Sequence, residues 1–252
     1  MSALFSLSGK KALVTGASRG LGAAIAVALA EAGADVAAHG NSRSTDATCE
    51  RIRKTGRRAL SVVGDIGLAE TAERLVAETI AGLGGLDIVI NNAGTIKRGP
   101  AVETSDADCH AVLDVNLHGV FRICRAAGRH MLASGGGKIV NIASLLSFQG
   151  GLNVPAYTSA KSAVAGLTKE LANEWAARGV NVNAIAPGYM KTDNTEALQK
   201  DATRNRQILE RIPAARWGEP EDLTGAAVFL ASKASDYVNG HVLVVDGGWM
   251  GR

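Results

Sequence analysis

Seven short apolar runs recur along the chain: Ala12 to Thr15, Asp35 to Ala38, Ala59 to Val63, Leu86 to Ile90, Lys138 to Ile142, Val180 to Ile185 and His241 to Val245. Each has the length of a strand, and the stretches between them, such as "GAAIAVALAEAG" and "AERLVAETIAGL", space their apolar residues as helices do. The runs are apolar on both faces, as strands of a parallel sheet are when crossover helices cover it on both sides. The alternation predicts a doubly wound α/β architecture.

No Pro/Ser-rich linker or internal repeat divides the alternation, so residues 1–252 are expected to form one domain, and the 46% hydrophobic content suffices for one large core. One segment breaks the rhythm. Residues 188–213, "GYMKTDNTEALQKDATRNRQILERIP", are polar and interrupted, and they read as a lid over a site. The 27 basic and 24 acidic residues are dispersed along the chain, which argues against nucleic acid as a partner. No run is long and apolar enough for a membrane span, and the N-terminal segment has no export pattern. Three cysteines without a Cys-x-x-Cys pair predict neither a disulfide framework nor a metal site. The expected location is the cytoplasm.

After the first strand run comes "TGASRGLG", with Gly16, Gly20 and Gly22 spaced G-x3-G-x-G ahead of a helix of small residues. A dinucleotide needs such a place: a tight turn, backbone close to a pyrophosphate, and a helix N-terminus whose free N–H groups favour negative charge. Asp65, closing the third strand run, could accept a hydrogen bond from an adenine amino group, or be a plain loop carboxylate. "NNAG" at 91–94 follows the fourth run at the edge where ligands of open α/β sheets bind, although it could simply form a turn. After the second run the sequence "HGNSRS" offers Arg43 and no acid, and Arg19 stands in the glycine turn. Arginine suits a 2′-phosphate, so NADPH is favoured; His39 and Asn41 could instead serve a ribose hydroxyl, which leaves NADH open.

Tyr157 and Lys161 lie four apart in a helical run and share a face. A phenol that works as an acid/base near neutral pH needs its pKa of about 10 brought down, and a neighbouring ammonium is a direct means. Ser144 follows the fifth strand run, and Asn116 falls in the long helix before it. In this order and spacing "TGASRGLG", "NNAG", Asn116, Ser144, Tyr157-x-x-x-Lys161 and the Pro187-Gly188 pair resemble the short-chain dehydrogenase/reductase family over nearly the whole chain.

The resemblance implies a Rossmann-like sheet of seven parallel strands, a homotetramer, and a catalytic set in which Tyr157 is the acid/base, Lys161 holds the nicotinamide ribose and lowers the tyrosine pKa, Ser144 polarises the carbonyl and Asn116 maintains a proton relay. To the cofactor it assigns Gly16, Ser18, Arg19, Gly20, Leu21, Gly22, Asn41, Arg43, Asp65, Ile66, Asn92, Ala93, Gly94, Tyr157, Lys161, Pro187, Gly188 and Thr192.

"IASLLSFQGGLNVPAYTSAKS" and the C-terminal "VNGHVLVVDGGWM" are similar to the family's 2-deoxy-D-gluconate 3-dehydrogenase and 2-dehydro-3-deoxy-D-gluconate 5-dehydrogenase branch. That implies reduction of a keto-sugar acid from uronate catabolism, such as 4-deoxy-L-erythro-5-hexoseulose uronate or a deoxy-hexodiulosonate. Arg98 or Lys191 would meet the carboxylate, and Ser144, Gln149, Asn153, Tyr157 and Tyr189 the rest of the substrate; Trp217 and Trp249 read as packing residues. The alternatives are a 3-oxoacyl-carrier-protein reductase, to which "TGASRGLG" and Arg43 are also similar, and a cofactor-sensing protein of the same fold.

Overall fold

The computed structural model describes residues 3–252. The strands β1 (Lys11–Val14), β2 (Asp35–Gly40), β3 (Ala59–Val63), β4 (Ile88–Asn91), β5 (Gly137–Ile142), β6 (Val180–Pro187) and β7 (Val242–Val245) form a single seven-stranded sheet in the order β3-β2-β1-β4-β5-β6-β7. Every neighbouring pair is parallel. All seven strand runs of the sequence are present, and the architecture is the Rossmann-like one expected.

Alternate residues of a strand face opposite layers. Ala12 and Val14 of β1 and Ile88 and Ile90 of β4 join a core with the helices α1 (Gly20–Glu31), α2 (Asp46–Lys54) and α9 (Thr224–Ala231). Leu13 and Val89 face the other way, into a core with α3 (Thr71–Leu83), α5 (Gly119–Ser134) and α6 (Pro155–Trp175). Small residues set how closely these layers approach: a Cβ on Gly128 of α5 would stand 2.7 Å from the Trp175 ring of α6.

A buried polar network crosses the second layer. Asn91 Nδ2 donates to Asn141 Oδ1 at 2.9 Å and to Cys124 Sγ at 3.2 Å, and Asn141 Nδ2 donates to Thr168 Oγ1 at 3.0 Å. This ties β4, β5, α5 and α6 into one register, because a buried polar group left without its partner costs about 1–3 kcal/mol. Burial pushes the Cys124 thiol up to about 12, so it stays protonated.

The chain leaves β1 towards β2 and β3 and returns to β4 on the other side of β1. Strand order reverses there, and at such a switch point the crossovers diverge and leave a crevice beyond the carboxyl ends of the strands. Residues 188–213 include a 3₁₀ turn (Asp193–Thr195) and two short helices, α7 (Glu196–Lys200) and α8 (Ala202–Arg211). Among the described residues no helix is long and apolar enough to cross a membrane.

Candidate active site

A cleft of about 890 Å³ opens at the switch point, and all the residues that the sequence assigned to a cofactor or to catalysis line it. The glycine turn forms one wall. Gly16 (φ +64°) and Gly20 (φ +53°) are left-handed, a conformation costly for residues with a Cβ. A Cβ on Gly16 would lie 2.8 Å from Ala93 Cα, and one on Gly22 would collide with the Gly16 carbonyl and Asn92 Nδ2. Helix α1 starts after Arg19 with no side-chain cap, so its first amide groups are left without a capping partner beside the cleft. A turn this tight against a bare helix N-terminus fits a pyrophosphate.

Neighbouring side chains hold the turn. Thr15 Oγ1 accepts from the Asn92 and Ala93 amides, both at 3.0 Å, and Asn92 Nδ2 donates to the Thr15 and Gly16 carbonyls at 3.0 and 3.1 Å. The Asn92 side-chain amide is thus engaged by the turn rather than offered to a ligand. His39 departs further from expectation: it is 1% exposed, its Nδ1 accepts from Gly16 N–H at 3.2 Å, and its Nε2 lies 2.8 Å from the Gly64 carbonyl, to which it donates. Both ring nitrogens are committed, so His39 is a latch between the ends of β1 and β3 and has none left for a ribose. Burial holds it below the usual histidine value, consistent with this neutral tautomer.

Asn41 and Arg43 are exposed at the end of β2 and line the cleft. Asp65 lines it too, with Oδ1 accepting from Gly67 N at 2.8 Å. Arg19 is not free: it forms an ion pair with Asp193 of the 188–213 segment at 2.7 Å.

The opposite wall carries the reactive groups. Pro155 occupies the first turn of α6, where its missing N–H costs nothing, and Tyr157 and Lys161 follow in the first two turns. Ser147 Oγ donates to the Lys161 carbonyl at 2.6 Å and Ser162 Oγ to the Leu146 carbonyl at 3.0 Å, so the loop bearing Ser144 is sewn onto α6. Lys161 is 3% exposed, and its Nζ donates to the Ile142 carbonyl at 2.6 Å.

Its effect on Tyr157 differs from the expectation of a phenol brought down by the lysine. Burial pushes the phenol above its ordinary value, Ser144 and the Arg98 charge oppose this, and Lys161, with Nζ 5.6 Å from the ring centre, is not among the causes. Burial therefore favours the protonated form of the phenol. Lys161 itself is brought down to about 8 by burial.

Asn116 lies not in a continuous helix but in a wider π-type turn, Asp114–His118, between α4 (Asp106–Leu113) and α5. Its Nδ2 donates to the Thr95 and Val112 carbonyls, both at 2.8 Å, while the buried Oδ1 has no partner. π-type turns concentrate at functional sites, and an orphaned buried acceptor suits an ordered water.

The residues expected to meet substrate separate. Ser144 and Tyr157 line the cleft; Arg98, Gln149, Asn153 and Tyr189 do not. Tyr189 packs between Trp217 and Trp249, and Gln149 Oε1 accepts from Trp249 Nε1 at 3.2 Å. The Asn153 carbonyl accepts from Gly99 N at 2.9 Å. Exposed Arg98 donates to the Asn194 carbonyl at 3.1 Å. Both tryptophans are buried packing residues, each 5% exposed. Sequence reasoning assigned no role to Thr15, although it opens "TGASRGLG", or to Asp193, which no motif spacing singles out.

The family model described as Enoyl-(Acyl carrier protein) reductase matches residues 16–250. A Bacillus subtilis protein named 2-dehydro-3-deoxy-D-gluconate 5-dehydrogenase is 53% identical over 248 residues, 98% of this chain and 97% of the relative. An Agrobacterium tumefaciens crystal structure with bound NADP, provisionally named 2-deoxy-D-gluconate 3-dehydrogenase, is 56% identical with a TM-score of 0.94, covering 99% of this chain and 100% of that one. A gluconate 5-dehydrogenase from Burkholderia cenocepacia, in complex with NADP and tartrate, is 41% identical with a TM-score of 0.93, over 99% of this chain and 98% of that one. With this cleft, and with such likeness over almost its full length, the chain belongs to the short-chain dehydrogenase/reductase family of nicotinamide-dependent oxidoreductases.

Proposed function

We propose that the protein reduces the carbonyl of a keto-sugar acid, reversibly, with NADPH as the favoured hydride donor. The carrying observation is that Tyr157, Lys161, Ser144 and Asn116 line the same cleft as the bare N-terminus of α1. A reduced nicotinamide held there supplies the hydride. The chain supplies the rest: Ser144 donates a hydrogen bond to the carbonyl oxygen, and Tyr157, held protonated, gives its proton to the developing alkoxide. Hydride and proton together convert the carbonyl to an alcohol in a two-electron step, and Lys161 and Asn116 lead a replacement proton back to the phenol. The glycine turn holds the pyrophosphate, and Arg43 and Arg19 offer their guanidinium groups to a 2′-phosphate.

A sugar-acid substrate is supported by the names of the relatives and by the available cations. Lys191 is paired with Glu219, whereas Arg98 has no carboxylate partner among the described residues and donates to the carbonyl of Asn194, a residue that lines the cleft. Arg98 lies outside the cleft lining but is held beside it through Asn194, and it is the cation assigned to the substrate carboxylate. The segment 188–213 serves as the lid, and the assembly is a homotetramer. The test is loss of reduced-nicotinamide absorbance with 4-deoxy-L-erythro-5-hexoseulose uronate and with a deoxy-hexodiulosonate. Rapid NADPH oxidation that Tyr157→Phe lowers by about 10²–10⁴-fold, with cofactor affinity retained, is expected; turnover of 3-oxoacyl thioesters instead of either acid would overturn the substrate.

A further inference from the structure

The ion pair between Arg19 and Asp193 crosses the cleft from the glycine turn to the lid. Its two ends are held differently. Asp193 opens a 3₁₀ turn built around Thr195, whose Oγ1 donates to the Met190 carbonyl at 2.6 Å and accepts from Thr192 N at 3.2 Å and from Gln199 Nε2 at 2.9 Å. The aspartate is thus presented by a braced backbone, whereas Arg19 reaches it on a long, flexible side chain. The turns themselves are close, since a Cβ on Gly20 would lie 3.7 Å from Thr192 Cγ2. On the far side the next lid residue, Asn194, accepts from Arg98.

We infer that Asp193 tunes the choice between phosphorylated and unphosphorylated dinucleotide, by engaging Arg19 and by placing a carboxylate at the rim of the phosphate site. The inference rests on the cleft being the nicotinamide dinucleotide site. A 2′-phosphate and the Asp193 carboxylate compete for the same guanidinium, and Asp193 also repels any phosphate nearby. Both effects have one sign, and both act more strongly on NADPH, which carries the additional 2′-phosphate charge, than on NADH. Arg19 and Asp193 are each about half exposed, at 47% and 58%, so the pair is weak enough for a phosphate to displace it yet strong enough to alter affinity. Arg43 lines the cleft without a carboxylate partner among the described residues, and it provides the 2′-phosphate affinity that Asp193 does not oppose through pairing.

The measurement is equilibrium binding of NADPH and of NADH to the full chain, followed by fluorescence of the reduced nicotinamide, for the unsubstituted protein, Asp193→Asn, Asp193→Ser, Arg19→Gln and the Arg19→Gln/Asp193→Asn double variant. Removing the carboxylate is expected to tighten NADPH by about two- to fivefold, the range of an exposed ion pair, and to change NADH less. In the Arg19→Gln background the gain in the NADPH-to-NADH ratio should shrink to the part due to repulsion alone. An unchanged or lower ratio in Asp193→Asn and Asp193→Ser would overturn the inference, as would a full gain in the absence of Arg19. If the unsubstituted protein bound neither nucleotide, the cofactor reading would fail and this inference with it; if it bound both but the ratio did not move, only this inference would fail.

Discussion

Lys161 carries its charge at a site 3% exposed, and burial brings it from an ordinary 10.5 down to about 8. At roughly 1.4 kcal/mol per pH unit, holding the ammonium form in the folded state costs about 3 kcal/mol at neutral pH. Because its folded pKa is depressed, the unfolded chain binds more protons between about pH 8 and 10.5, and stability rises across that window. Lys161→Met removes the buried charge and leaves the Ile142 carbonyl without its donor, a loss of about 1 kcal/mol. The net expectation at pH 7 is a gain of about 2 kcal/mol, or roughly 4–8 °C in Tm, with turnover abolished. Thermal unfolding followed from pH 7 to 11 checks this: the advantage should disappear as the unsubstituted lysine loses its proton, and a lower Tm at pH 7 would contradict the charge-burial account. The direction of the Tyr157 shift was not legible in the sequence, since i, i+4 spacing places two groups on one face but leaves their depth open.

At the scale of the element, the glycine turn is held by contacts on every side, which is why one methyl group matters there. Gly22→Ala would drive a Cβ into the Gly16 carbonyl and Asn92 Nδ2, which are hydrogen-bonded to each other in support of the turn. The expected cost is about 1–3 kcal/mol of stability, with dinucleotide affinity reduced about tenfold or more, measured by denaturant unfolding and by nicotinamide fluorescence. Unaltered binding would mean that the turn yields freely. "TGASRGLG" reveals this element from spacing alone, because the required left-handed positions demand glycine. His39 was not legible in the same way: a histidine at the end of a strand run looks equally able to face a ribose or a core. Its commitment to Gly16 N–H and the Gly64 carbonyl depends on β1, β2 and β3 lying side by side, a long-range fact. Asn116 stands out by its setting in "DVNLHG", but the π-type turn that leaves its Oδ1 without a partner has no sequence signature.

Across the whole molecule, the cleft joins elements from both sides of the strand reversal, the glycine turn after β1, the β2 end, the β4 and β5 ends, α6 and the start of the 188–213 segment. A ligand that bridges them binds the folded chain alone and stabilises it: at a hundredfold excess over Kd by about 2.7 kcal/mol, or about 5–11 °C in Tm. NADPH should raise Tm more than NADH at equal concentration in a thermal-shift measurement, and equal shifts would remove the 2′-phosphate preference. Periodicity marks the seven strands and the parallel sheet in advance, because both depend on residues close in sequence. Motif order likewise names a cofactor and catalytic set whose members all line the cleft. Tertiary structure alone decided which of the remaining candidates stand apart from it, Tyr189 and Gln149 being drawn into an aromatic cluster with Trp249, and which cleft residue is already engaged, Arg19 being paired with Asp193. The physical reason is range. Strand, helix and glycine turn are written in local spacing, whereas burial, charge pairing and the fate of a lone polar atom depend on segments brought together only when the sheet has formed.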